Sequence, residues 1–118
     1  SAAPTYFLSA EILGVKPGNP GWEEILIHPH PTDSQWAKGV VPTPIGNVSV
    51  EWKSDEKFEM TIEIPTRAKI AIPIRKEGVV FVNGEKDRLP MGVSRLEDRG
   101  GFAFLQAERQ GRYRFAST

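Results

Sequence analysis

Residues 58–64 read FEMTIEI. Phe58, Met60, Ile62 and Ile64 alternate with Glu59, Thr61 and Glu63, a period of two that sends the apolar side chains to one face and the polar ones to the other. That is the signature of a half-buried strand, and it recurs on both sides. Upstream, within Ile45–Lys53, Val48, Val50 and Trp52 alternate with Ser49, Glu51 and Lys53. Downstream, Ile70, Ile72 and Ile74 repeat the pattern, and Val79–Val82 runs into Asn83-Gly84, a strong hairpin dipeptide. Trp22–Pro29, Trp36–Val41, Phe102–Ala107 and Arg112–Phe115 read as further strands, and Ser54-Asp55-Glu56, Gly100-Gly101 and Gln110-Gly111 as turns. Eight or so short strands with frequent turns predict a mainly β fold, either an antiparallel, jelly-roll-like sandwich or a barrel. Ten prolines suit its edges and loops, because proline cannot serve a central ladder.

The first residues break the pattern. SAAPTYFLSAEILGV, residues 1–15, predicts a helix: Ser1 or Thr5 caps it, Pro4 suits its first turn, and Gly14 with Lys16-Pro17 stops it. Tyr6, Phe7, Ala10 and Leu13 line one stripe; Leu8, Ile12 and Val15 line another, broadly opposed one. A helix docked on one sheet buries a single stripe, so the second points to a neighbour in a larger assembly. In its absence, a second copy of the chain is expected to cover residues 3–15. The breaker cluster KPGNPG separates helix from strands.

At 118 residues and 13.1 kDa the chain has room for one core. Hydrophobic residues at 39% and charged residues at 25% mark an ordered globular chain. Fifteen basic residues balance fifteen acidic ones, which removes any general pull toward nucleic acid or an anionic membrane. Between Glu85 and Thr118, seven basic and five acidic residues are too mixed for a nucleic-acid footprint. No apolar run approaches a membrane span, and the start carries no basic flank or cleavage site, so either a signal was removed or the gene product begins upstream. The lack of cysteine excludes disulfides, thiolate metal sites and cysteine nucleophiles.

The residues that carry chemistry are few. His28 and His30 point the same way from a strand, with Asp33 nearby, but Pro29 and Pro31 flank His30 and no third histidine exists. Surface or interface histidines are the ordinary reading, and no metal or cofactor is expected. No nucleophile elbow, dinucleotide fingerprint or phosphate loop occurs. Glu51, Asp55, Glu56, Glu59 and Glu63 stand on outward strand positions or in a turn, mostly beside lysines, as a solvated face would. Of the tryptophans, Trp52 reads as core and Trp22 as packing at the junction of helix and sheet. Trp36, in DSQWAKG, is the best candidate for exposure and for stacking on a sugar ring, although packing is the more common fate.

Four phrases stand in a specific order: SAAPTYFLSAEILGVKPGNPGWEEILIHPHP, WAKGVVPTPIGNVSVEW, FEMTIEIPTRAKIAIPI and GRYRF. Together they resemble the C-terminal part of bacterial α-L-rhamnosidases, glycoside hydrolase family seventy-eight. Leu13 to Pro17 match the end of a last helix, Pro20 to Pro29 the next element, and Trp36 to Trp52 the third, with Gly39 to Gly46 the most specific. The family's histidine–aromatic segment ahead of the S-A-x-P phrase is absent, and His28-Pro-His30-Pro carries no shared role. The resemblance implies that residues 1–16 are the last helix of an upstream α/α barrel and 17–118 a C-terminal sandwich. It implies a parent that hydrolyses terminal α-L-rhamnose with inversion, on barrel carboxylates that map to nothing here. This chain would then be a non-catalytic accessory domain whose partner is the barrel of its own polypeptide. A carbohydrate-binding module using Trp36 is the alternative.

Overall fold

In β5 (Phe58–Ile64) the period of two becomes a wall of the core: Phe58, Met60, Ile62 and Ile64 are buried while Glu59 and Glu63 face water. A computed structural model describes residues 13–30, 36–74, 78–86 and 88–118. Around β5 lie β1 (Val15–Pro17), β2 (Ile25–Ile27), β3 (Trp36–Thr43), β4 (Gly46–Ser54), β6 (Ala68–Pro73), β7 (Val80–Val82), β8 (Val93–Arg99), β9 (Phe102–Ala107) and β10 (Gly111–Ser117). They form two five-stranded sheets, A in the order β1-β2-β6-β9-β8 and B in the order β3-β4-β5-β10-β7.

The sheets meet through the inward rows of each strand. Sheet B supplies Val48, Val50, Trp52, the β5 row, Val80, Val82, Tyr113 and Phe115; sheet A supplies Ile25, Ile27, Ala68, Ile70, Ile72, Ala103, Leu105 and Ala107. Burying one large side chain of this kind is worth about 1.5–3 kcal/mol. Ser117 is buried among them, and its hydroxyl donates to the Pro73 carbonyl, joining β10 to β6 across the sandwich.

The mainly β expectation is borne out, with three differences. The chain is not wholly antiparallel, since β2 runs parallel to β6. Nor does it alternate between sheets as a jelly roll does: β3, β4 and β5 lie side by side in one sheet. Only Pro44-Ile45 and Asp55–Lys57 connect them, too little chain to cross the roughly 10 Å between packed sheets and return. The helix expected over residues 1–15 lies, as far as Ile12, outside the described residues; at its end Val15 is the first residue of β1, paired with Ile27. The expected division at residue 16 therefore falls inside a strand of sheet A. The cause is Gly14, at φ +80°, which turns the chain so that Leu13 enters the core and Val15 pairs with β2.

The turns follow the sequence. Asn83 and Gly84 both have positive φ, and Val82 and Glu85 exchange backbone hydrogen bonds of 2.9 and 3.1 Å across them. Gly100 and Gly101, also at positive φ, join β8 to β9.

Gly14 is the tightest point described. A Cβ there would stand 2.1 Å from the His28 carbonyl oxygen, backbone that cannot step aside, whereas one at Gly21, also at positive φ, would meet nothing. Gly14→Ala is expected to lower stability by about 2 kcal/mol or more, roughly 10 °C in Tm, and Gly21→Ala by about 1 kcal/mol. Thermal melts of the two variants check this.

Candidate functional site

The carboxylates do not converge. Glu51, Glu59 and Glu63 project from the outer face of sheet B, and Asp55 sits in the β4–β5 turn. The Lys57 backbone N–H donates to Asp55, and the Lys53 ammonium stands 3.4 Å away; both hold its carboxyl below the ordinary carboxylate value. Glu24 is half-buried and structural: it accepts from Gln106 at 3.1 Å and faces Arg67 at 3.6 Å, tying the start of β2 to β9 and β6. Among the described residues no three metal-ligating side chains come together. Asp33, the third member of the histidine cluster, lies outside the described residues.

His28 and His30 belong to the outer face of sheet A. Their rings stack with centroids 4.6 Å apart, and His28 also meets Phe102 at 4.4 Å and the edge of Phe104 at 6.0 Å. The Arg99 guanidinium lies 5.2 Å over the Phe104 ring. Leu26, His28, Lys69, Leu96, Arg99 and Phe104 line a hollow of about 380 Å³ on this face. Leu96 reaches it because β8 bulges between Arg95 and Glu97. Under the aromatics, Ala71 is fully covered. The chain enters beside this patch: the His28 N–H donates to the Gly14 carbonyl at 2.8 Å.

Phe102 and Phe104 were not singled out by sequence reasoning, although the signal was there. FAFLQA is apolar at five of six positions, so both faces of β9 are apolar, the mark of a strand with something on each side.

Trp36 stands on the opposite outer surface, on sheet B, beside Lys53, and is 68% exposed. The exposure is what singles it out; the more common fate of packing is not what is found. Trp52 is buried in the core and Trp22 packs against it, as expected.

The most specific phrase of the sequence, Gly39 to Gly46, builds a hairpin. Pro44 and Ile45 turn between β3 and β4, the Thr43 hydroxyl donates to the Gly46 carbonyl at 2.6 Å, and a Cβ at Gly46 (φ +136°) would meet Pro65 at 3.0 Å. Comparison with known proteins gives the phrase its meaning. A family model described as the bacterial alpha-L-rhamnosidase C-terminal domain matches residues 14–88. The chain belongs to this family. An alpha-L-rhamnosidase from Alteromonas sp. (strain LOR) is 38% identical over an alignment of 104 residues that covers 85% of this chain and 11% of that protein. The solved α-L-rhamnosidase of Dictyoglumus thermophilum superposes with a TM-score of 0.73 at 29% identity over 89% of this chain and 12% of its own. That of Streptomyces avermitilis, complexed with L-rhamnose, shares the fold, with a TM-score of 0.78 at 22% identity over 95% of this chain and 10% of its own. The chain thus spans about a tenth of the length of these relatives.

One property of this domain can be read by titration. Burial pushes His28 below the ordinary histidine value, and His30 and then Lys16 add to it. In the pH range below about 6.5 the unfolded chain binds a proton that the folded chain resists. The stabilising contribution of neutral His28 is therefore complete above that pH and lost progressively beneath it. Melting temperature is expected to fall from about pH 7.5 to about pH 5, and His28→Phe to flatten the fall. Melts of both proteins across that range measure it.

Proposed function

We propose that this chain is the non-catalytic C-terminal sandwich of an α-L-rhamnosidase, holding an upstream catalytic barrel of the same polypeptide against the outer face of sheet A. One observation carries the reading: the aromatic patch of Phe102, Phe104, His28 and Leu96 lies where the chain enters at Gly14. A body attached through Gly14 meets this patch first. The match to the C-terminal domain family, over about a tenth of its relatives' length, supports the place of this domain within a longer rhamnosidase chain. In this reading the last helix of the barrel ends by Leu13, β1 belongs to the sandwich, and the chemistry lies upstream. Cleavage of terminal α-L-rhamnose by the parent is part of the proposal, supported by the names of the relatives and by the L-rhamnose complex of one of them.

Three experiments test it. The 118-residue chain is expected to give no turnover of an aryl α-L-rhamnoside; turnover by pure chain refutes the reading. In the full-length polypeptide, Leu96→Asp with Phe104→Ser is expected to speed thermal inactivation several-fold, while the same pair leaves the sandwich folded by circular dichroism. Unchanged inactivation refutes docking through this face. Leu13 and Val15, part of the patch expected over residues 3–15, are buried in the sandwich, so pairing of isolated chains through residues 3–12 is what belongs to the same proposal. Sedimentation at high concentration decides it, since dimers are expected and strict monomers contradict it.

A further inference from the structure

The outer face of sheet B is built differently from that of sheet A. Its strand register sets Trp36 opposite Lys53, Lys53 opposite Glu59, Glu59 opposite Ala116, and Ala116 opposite Phe81. One straight row thus crosses all five strands with an aromatic ring at each end. It spans four inter-strand steps, about 19 Å. The next row runs Lys38, Glu51, Thr61 and Arg114. Three hollows of about 340, 390 and 280 Å³ lie along this floor, and Thr61 lines all three. Phe81 and Arg114 line the first and Trp36 the second. With the described residues, Glu51, Glu59, Glu63, Arg112 and Arg114 form no ion pair. Their donors and acceptors stay open to a ligand.

A solvated strand face accounts for the charges. It does not account for a large ring 68% exposed at one end of the row and a second ring bounding the other end. We infer that this floor binds a neutral oligosaccharide several sugars long, with Trp36 and Phe81 under its two ends and the charged row hydrogen-bonding its hydroxyls. Charge decides the class of ligand. Cations and carboxylates alternate along and between the rows, which suits a polyol that both donates and accepts. A polyanion would gain from the cations and lose to the carboxylates between them. The site is independent of the docking proposed for sheet A, since the two faces lie on opposite sides of the sandwich.

Titration of the ¹⁵N-labelled 118-residue chain with a neutral rhamno-oligosaccharide, cellohexaose and an anionic oligogalacturonate tests this. At least one neutral probe is expected to shift the Trp36 indole and the amides of Glu51, Glu59, Thr61, Arg114 and Phe81. Trp36→Ala is expected to weaken that binding about tenfold or more, Trp36→Phe to keep most of it, and Phe104→Ala on the other face to leave it unchanged. No shift with either neutral probe overturns the inference. So does binding of the oligogalacturonate alone, or binding undiminished in Trp36→Ala. None of these outcomes bears on the inactivation test of sheet A.

Discussion

Sheet A exists as one sheet because β2 lies parallel to β6. The pairing is short, Ile25 to Ala68, Leu26 to Lys69 and Ile27 to Ile70, and parallel neighbours need a long crossover. Here the crossover holds the whole β3–β4–β5 meander, so the connection that closes sheet A carries the middle of sheet B within it. Ile25 and Ile27, both fully buried, anchor β2 from the core side. Glu24 anchors it at the start through Gln106 and Arg67, and the Ile25 N–H donates to the Arg67 carbonyl at 3.1 Å. Without this pairing His28 would not reach Phe102, and the chain would not enter at the rim of the aromatic patch.

The division of the molecule into two dissimilar outer faces follows from that arrangement. Sheet A, with β9 apolar on both sides, has an outer face that favours being covered by protein. Sheet B alternates most regularly in β4 and β5, and its outer face is largely polar, with Trp36, Val40, Ala116 and Phe81 among its apolar positions. Edge strand β8 carries a bulge and a run of charged residues, which discourages pairing with another chain's edge.

Much of this was legible in the chain. Phe58–Ile64 and Phe102–Ala107 have the bounds that the sequence predicts, because alternation or dense apolar character marks them locally. Asn83-Gly84 and Gly100-Gly101 were legible as turns because positive φ demands such residues. Two strands were not. β1 is three residues of Val-Lys-Pro, with no period to read, and it exists only because β2 lies beside it. β8 reads VSRLEDR; its bulge breaks the period and its edge position leaves it mostly wet. Parallel pairing of β2 with β6 is a property of topology and leaves no local trace. For the candidate sites, exposure of Trp36 could be suspected from its loop-flanked setting, but its place in a row ending at Phe81 required the register of four strand pairs. The histidines could be seen to share a face, and what they stack on could not.

The central claim is that sheet A, and not sheet B, faces the rest of the polypeptide. Hydrogen–deuterium exchange, compared between the 118-residue chain and the full-length protein, tests it directly. The account predicts added protection in the full-length protein at β2 and along β8 and β9, with β3 and β7 exchanging alike in both. Added protection centred on β3 and β7, with β8 unchanged, would contradict it.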